Sequence, residues 1–153
     1  MLGIGSTGVG SYNLYNSTPI TATQASVTGL PTNGETLYAR IYSLINGAWQ
    51  SNDYIYTAAP TPVPAVLTSP TPGSALTSSS VTFQWTAGTG VTQYVLGIGS
   101  TGVGSYNLFN STPITATQAS VTGLPTNGTT LYARLYSWIN GAWQYHDYTY
   151  TAQ

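Results

Sequence analysis

The chain has 153 residues, of which only 3% are charged, against roughly 25% in an ordinary soluble domain. Two arginines, no lysine and no cysteine exclude a basic patch for nucleic acid, a lysine Schiff base, thiolate metal sites and disulfides. The apolar runs are too short to span a bilayer, so we expect no membrane insertion. Because 41% of the residues are hydrophobic and 12% are aromatic, we expect a packed core rather than disorder.

An internal repeat organises the chain. Residues 2–58 recur as residues 96–152, 94 positions later, with seven differences among 57 positions. This pattern predicts a partial repeat over residues 1–58, a Pro-rich linker over 59–64 and a complete repeat over 65–153. The differing pairs are Tyr15/Phe109, Glu35/Thr129, Ile41/Leu135, Leu44/Trp138, Ser51/Tyr145, Asn52/His146 and Ile55/Thr149.

The first copy begins inside a predicted strand, because Met1 aligns with Val95 of the second copy. Residues 1–58 are therefore expected to supply the later five strands of a domain and to lack the first two, the equivalents of residues 65–87. Near its end, Asn46-Gly47 lies between two β-rich runs, which predicts a two-residue hairpin turn. An open sheet edge on a nearly uncharged chain favours pairing with another chain.

In the second copy, prolines and alternating residues place the strands. The linker prolines favour extended backbone, and the cluster at Pro70 and Pro72 fits an interrupted edge strand. Strands are then expected over 81–85, around Tyr94 to Ile98, around Tyr106 to Leu108, over 119–124, and in a hairpin turning at Asn140-Gly141. No stretch has a helical apolar period. The expected core is Phe83, Trp85, Tyr94, Leu96, Ile98, Val121, Leu131 and Leu135.

Four features of residues 66–152 resemble the fibronectin type III-like domain of bacterial proteins. They are the Phe83-Gln-Trp85 strand, the Tyr94–Gly99 strand, the Gly123-Leu-Pro125 turn and the Leu131–Leu135 strand. The resemblance implies an all-β, immunoglobulin-like sandwich of two sheets, with one complete repeat and one partial repeat. It also implies a structural or adhesive role rather than catalysis.

Two motifs suggest chemistry, but neither has the context that the chemistry needs. Gly97–Gly104, repeated at Gly3–Gly10, matches a glycine-rich phosphate loop, yet strand-like residues follow it where a helix would be required. We interpret it as a bend between strands. His146 and Asp147 are the only adjacent His-acid pair, and neighbours in a strand point to opposite faces. We therefore expect no catalytic, cofactor-binding or metal site, and no enzyme activity.

Aromatic residues form the most informative pattern. If Leu131, Ala133 and Leu135 face the core, alternate residues form a stripe on the outer face, at Tyr132, Arg134, Tyr136 and Trp138, with first-copy equivalents Tyr38, Arg40 and Tyr42. Such a stripe suits packing against a neighbouring module, with the arginine between tyrosine rings. Stacking on the sugar rings of a polysaccharide is the alternative.

Composition, repeat and resemblance together predict a non-enzymatic structural or adhesion module of an extracellular or cell-surface protein. Its expected partners are other copies of itself, in a dimer or a filament-like array, because the partial repeat leaves a domain incomplete. The alternative is an accessory carbohydrate-binding module that uses the aromatic stripe. No cofactor is expected in either case.

Overall fold

The computed structural model describes residues 1–153, which form twelve β-strands and no helix. The all-β class expected from the sequence is therefore confirmed. The chain divides into two compact units, Met1–Thr61 (unit 1) and Pro62–Gln153 (unit 2). The structure contains no helix that is long enough and apolar enough to span a bilayer.

Unit 1 consists of one antiparallel sheet of four strands. The strands are β1 (Leu2–Gly5), β2 (Tyr15–Asn16), β3 (Thr36–Ile45) and β4 (Ala48–Thr57). Their order in the sheet is β2-β1-β3-β4, so the β3-β4 hairpin lies at one side. The two hairpin strands pair along their whole length, from Thr36 opposite Thr57 to Ile45 opposite Ala48.

Unit 2 consists of two sheets. Its strands are β5 (Leu67–Ser69), β6 (Ala75–Leu76), β7 (Val81–Trp85), β8 (Val91–Gly99), β9 (Phe109–Asn110), β10 (Gln118–Val121), β11 (Thr130–Ile139) and β12 (Ala142–Ala152). One sheet has the order β10-β7-β5 and the other has the order β6-β12-β11-β8-β9. β5 is an edge strand that ends just before Pro70, which has no N–H to donate to a ladder.

The two sheets of unit 2 share one hydrophobic core. Phe83, Trp85 and Val121 come from the smaller sheet, while Leu96 and Leu135 come from the larger one. Buried and partly exposed residues alternate along the whole of β11, as a strand with one covered face requires. All eight predicted core residues are buried, so that prediction is confirmed, and the arrangement is compatible with a β-sandwich.

Both predicted hairpin turns are present. Asn46 and Asn140 have φ of 50°, and the glycines that follow them have φ of 79° and 82°. Positive φ at both central residues is the geometry of a type I′ turn, for which Asn-Gly is the preferred sequence. The turn fixes the register of each hairpin, which decides the residues that share a face.

Three strand predictions were wrong. Residues 106–108 lie outside any strand, and only Phe109–Asn110 pairs as a strand. Unit 1 has four strands rather than five, because residues 24–27 do not form the strand that their equivalents form as β10. β10 pairs only with β7, and unit 1 has no such partner. The segment without an equivalent in unit 1 forms three strands, β5 to β7, rather than two.

The boundary between the two units falls inside the segment expected to be a linker. Thr61 donates its hydroxyl to the carbonyl of Thr32 within unit 1. Val63 forms an isolated bridge with Thr89 within unit 2. Hydrogen bonds therefore tie Thr61 to unit 1 and Val63 to unit 2.

Candidate interaction surfaces

Unit 1 exposes part of the face of its sheet that, in unit 2, is covered by the smaller sheet, whereas Leu37 and Ala39 on that face are buried. We call this surface the open face and define it by Ile41, Ser43, Ile45, Tyr54 and Tyr56. The β3-β4 register places these residues on one side, because Tyr54 lies opposite Ala39 and Tyr56 lies opposite Leu37. All five are exposed.

The equivalent residues of unit 2 show how much of this surface is covered there. Ile45 is 46% exposed, whereas the identical residue Ile139 is 1% exposed. Tyr56 is 58% exposed, whereas Tyr150 is 2% exposed. The same side chains are thus core in one unit and surface in the other. Exposed apolar side chains that lie together make the open face a candidate interaction surface.

The polar groups of this face have partners in unit 2. Ser137 is fully buried and its Oγ accepts a hydrogen bond from Ala65 N at 2.9 Å. Tyr150 donates its hydroxyl to Pro70 O at 3.0 Å. Burial raises the pKa of Tyr150 above its usual value, because the charged phenolate is poorly solvated there. Their unit 1 equivalents, Ser43 and Tyr56, are exposed.

A cavity of about 760 Å³ lies at one end of the open face. Its lining includes Met1, Ile20 and Ile41. In unit 2, Ile114, the equivalent of Ile20, exchanges two backbone hydrogen bonds with Tyr94 of β8. The cavity therefore lies where unit 2 has the first half of its β8 strand.

The opposite, outer face carries the aromatic stripe noted in the sequence. Tyr132, Arg134, Tyr136 and Trp138 are all partly exposed and lie on one side of β11, between its buried residues. In unit 1, Tyr38, Arg40 and Tyr42 occupy the equivalent side of β3 and are also partly exposed. The structure thus brings each set together on one surface.

Each arginine on this face is held by an aspartate across the hairpin. Arg134 Nε and Nη2 donate to the two carboxylate oxygens of Asp147 at 2.7 and 2.9 Å. Arg40 and Asp53 form the same paired bonds, which raise the pKa of Arg40 and lower that of Asp53. A cation already engaged in this way is a poor ligand for an added anion.

The backbone leaves room for these guanidinium groups. Gly104 has φ of +82°, and a Cβ built on it would lie 3.1 Å from Arg134 Cζ. The glycine-rich motif is thus a bend that lets a cation lie against the chain, in line with its interpretation from the sequence. Gly10 has the same relation to Arg40.

Unit 2 adds an aromatic ladder to this face, defined by Tyr136, Trp138, Trp143 and Tyr145. The ring centroids of Trp138 and Trp143 are 5.0 Å apart, and those of Tyr136 and Tyr145 are 5.7 Å apart. Arg134 Cζ lies 3.9 Å from the centre of the Tyr145 ring. Unit 1 has Ser51 and Leu44 at two of these positions, so its ladder is incomplete.

Sequence reasoning found the residues of β11 on this face and missed those of β12, namely Asp147, Trp143 and Tyr145. The signal was present in the hairpin turn. A two-residue turn at Asn140-Gly141 forces Ile139 opposite Ala142, and counting outward places Arg134 opposite Asp147. His146 lies opposite Leu135 on the other side of β12 and is exposed.

No protein-family model matches the chain, and no curated protein matches it. The open face and the aromatic ladder are therefore interpreted from their own geometry.

Proposed function

We propose that this chain is a non-enzymatic structural and adhesion module of a secreted or cell-surface protein, and that it self-associates through the open face of unit 1. The observation that carries the proposal is the contrast between Ile45, 46% exposed, and Ile139, 1% exposed. A sheet with the same residues forms a covered core in unit 2. Exposed apolar surface of this kind is stabilised by burial against another molecule.

A second copy of the chain is the partner that the geometry favours. Open faces from two chains present identical, uncharged surfaces that could pack about a two-fold axis as a sandwich of two sheets. A formal net charge of −1 on the chain offers almost no electrostatic repulsion against such packing. An array would instead need a heterologous contact, in which the open face of one chain packs on a different surface of the next chain.

The order of strands in unit 2 supports a fibronectin type III-like domain within the β-sandwich class. A three-stranded sheet made of the first, third and sixth strands, β5, β7 and β10, faces a sheet containing the final hairpin, β11-β12. This is the grouping of strands found in immunoglobulin-like sandwiches. Such domains serve commonly as extracellular modules, which supports the proposed location.

Sedimentation velocity of the full chain tests self-association. We expect a dimer or larger species at micromolar concentration, and a shift toward monomer for Ile45→Asp, which places a charge on the open face. Val9→Asp is the matched control, because Val9 is 58% exposed in a loop outside that face. A wild-type monomer throughout the micromolar range would contradict the proposal.

The aromatic ladder favours a second function, an accessory carbohydrate-binding module. Flat rings on one exposed hairpin resemble the stacking platforms that sugars use, and Trp143 and Tyr145 are 37% and 51% exposed. Affinity electrophoresis against a panel of polysaccharides tests it. Retardation that is lost in Tyr136→Ala and Trp138→Ala, and kept in the unit 1 variant Trp49→Ala, would support it. Unretarded migration of the wild type would oppose it.

A further inference from the structure

Unit 2 shows which kind of segment covers a sheet with the residues of unit 1. In unit 2, residues 62–94 form β5, β6, β7 and the beginning of β8. Leu67, Leu76, Phe83 and Trp85 of this segment are all buried in the core. The segment contains no charged residue, so its burial leaves no charge without a partner.

The groups that hold this segment in unit 2 recur in unit 1. Ser137 accepts a hydrogen bond from the segment, and Tyr150 donates one to it. Unit 1 has serine and tyrosine at the equivalent positions, Ser43 and Tyr56. Tyr148 accepts a hydrogen bond from Leu67 N at 3.1 Å, and its equivalent is also tyrosine.

The apolar and backbone partners of the segment recur as well. Phe83 packs edge-on against Tyr150, with centroids 5.5 Å apart. β7 pairs with β10, whose sequence Gln118–Val121 is identical to residues 24–27 of unit 1. Residues 24–27 lie outside any strand in unit 1. Residues 24–27 thus have the sequence of β10 but lack the neighbouring strand, β7, with which β10 pairs.

From this complementarity we infer that the open face of unit 1 is a binding site for an uncharged, proline-interrupted β-segment with the sequence of residues 62–94. The bound segment adds a β7 equivalent beside residues 24–27 and a β5 equivalent beyond it, as in the order β10-β7-β5 of unit 2. It places its final residue, Tyr94, in the cavity next to Met1. Addition of strands to an unpaired sheet is an established mode of peptide recognition. The inference rests on the proposed function, since both concern the same face.

Only unit 1 is expected to accept an added segment. Unit 2 already holds its own residues 62–94, which are covalently attached and therefore present at a high effective concentration. One molecule of segment should thus bind per chain. Because the segment and a second copy cover the same face, binding should also dissociate a self-associated chain.

The experiment adds a fluorescein-labelled synthetic peptide of residues 62–94 to the full chain. We expect fluorescence anisotropy to saturate at one peptide per chain. Sedimentation velocity should show that the self-associated chain dissociates into a complex of one chain and one peptide. Hydrogen exchange of residues 24–27 should slow at least about tenfold, because their amides gain ladder partners. Exchange over residues 118–121 should not change.

Two controls localise the binding. A peptide with Phe83→Ser and Trp85→Ser loses the side chains that enter the core and should not bind. On the chain, Ile45→Asp should weaken binding at least about tenfold, since a buried charge would lack a partner, whereas Val9→Asp should not. If Ile45→Asp unfolds unit 1, the peptide with Phe83→Ser and Trp85→Ser is the control that tests the inference.

The outcomes separate this inference from the proposed function. A chain that self-associates but does not bind the peptide overturns the inference and leaves the proposed function standing. A chain that is monomeric alone but binds one peptide overturns self-association and supports the inference. Binding with slowed exchange at residues 118–121 instead of 24–27 would also overturn the inference, because the peptide would then have entered unit 2.

Discussion

The same substitution at Ile45 and Ile139 should have different costs, although the two residues occupy identical hairpin positions. Ile139 is 1% exposed, so Ile139→Ala removes about three buried carbon groups at roughly 0.8 kcal/mol each and leaves a cavity. We expect unit 2 to lose about 3–4 kcal/mol of unfolding free energy. Ile45 is 46% exposed, so Ile45→Ala in a dilute chain should cost about 1 kcal/mol.

Hydrogen exchange with mass spectrometry can measure both costs in the full chain. Peptides from the two hairpins are distinguishable by mass, because Leu44 and Ser51 are replaced by Trp138 and Tyr145 in unit 2. The slowest amides of each hairpin report the free energy of opening of that unit. Equal losses for the two alanine variants in dilute solution would refute the assignment of a covered face to unit 2 and an open one to unit 1.

Three further predictions follow from the contacts of unit 2. Trp85→Ala should cost roughly 3–5 kcal/mol in urea unfolding followed by circular dichroism, since the residue is 4% exposed, and a melting temperature within a few degrees of the parent would contradict the strand placement. Ser137→Ala should cost about 1–3 kcal/mol, because Ala65 N would lose its buried partner, whereas Ser43→Ala should be neutral. The folded state raises the pKa of Tyr150, so its contribution to stability is complete below pH about 10 and is lost as pH rises beyond it. Tyr150→Phe should therefore flatten the alkaline fall in stability of unit 2 measured by exchange-detected or spectroscopic unfolding, and an unchanged slope would contradict this cause.

Local rules were sufficient to predict the hairpins and the core of unit 2. Alternation has a period of two residues, so Leu131, Ala133 and Leu135 share a face once the strand is recognised. The Asn-Gly turn sets positive φ and leaves little freedom in register. These features depend on neighbours in the chain, which explains why they could be predicted from the sequence.

Strand pairing between distant segments could not be predicted in the same way. Residues 24–27 and 118–121 have one sequence, yet only the second set is a strand. A strand requires a hydrogen-bonded neighbour, and for these residues that neighbour is β7, which is remote in the chain. Identical local sequence therefore led to a wrong strand prediction in unit 1.

The two surfaces were predicted to different degrees. Alternation predicted the stripe at Tyr132, Arg134, Tyr136 and Trp138. The aspartate lies on the partner strand, and its position opposite Arg134 depends on the hairpin register and not on alternation within β11. The missing strands of unit 1 indicated an open face. The residues that form this face, such as exposed Tyr56 opposite Leu37, could be identified only from the register of the folded hairpin.

Hydroxyl-radical footprinting of Tyr56 across concentration tests the central claim most directly, that the open face is covered by another copy of the chain. Tyr56 is 58% exposed, and Tyr12, at 60%, is a control of equal exposure beside Gly3 on the outer face. From nanomolar to high-micromolar chain, we predict that oxidation of Tyr56 falls toward that of the buried Tyr150, while oxidation of Tyr12 stays constant. Oxidation of Tyr56 that remains equal to that of Tyr12 at every concentration would contradict the claim.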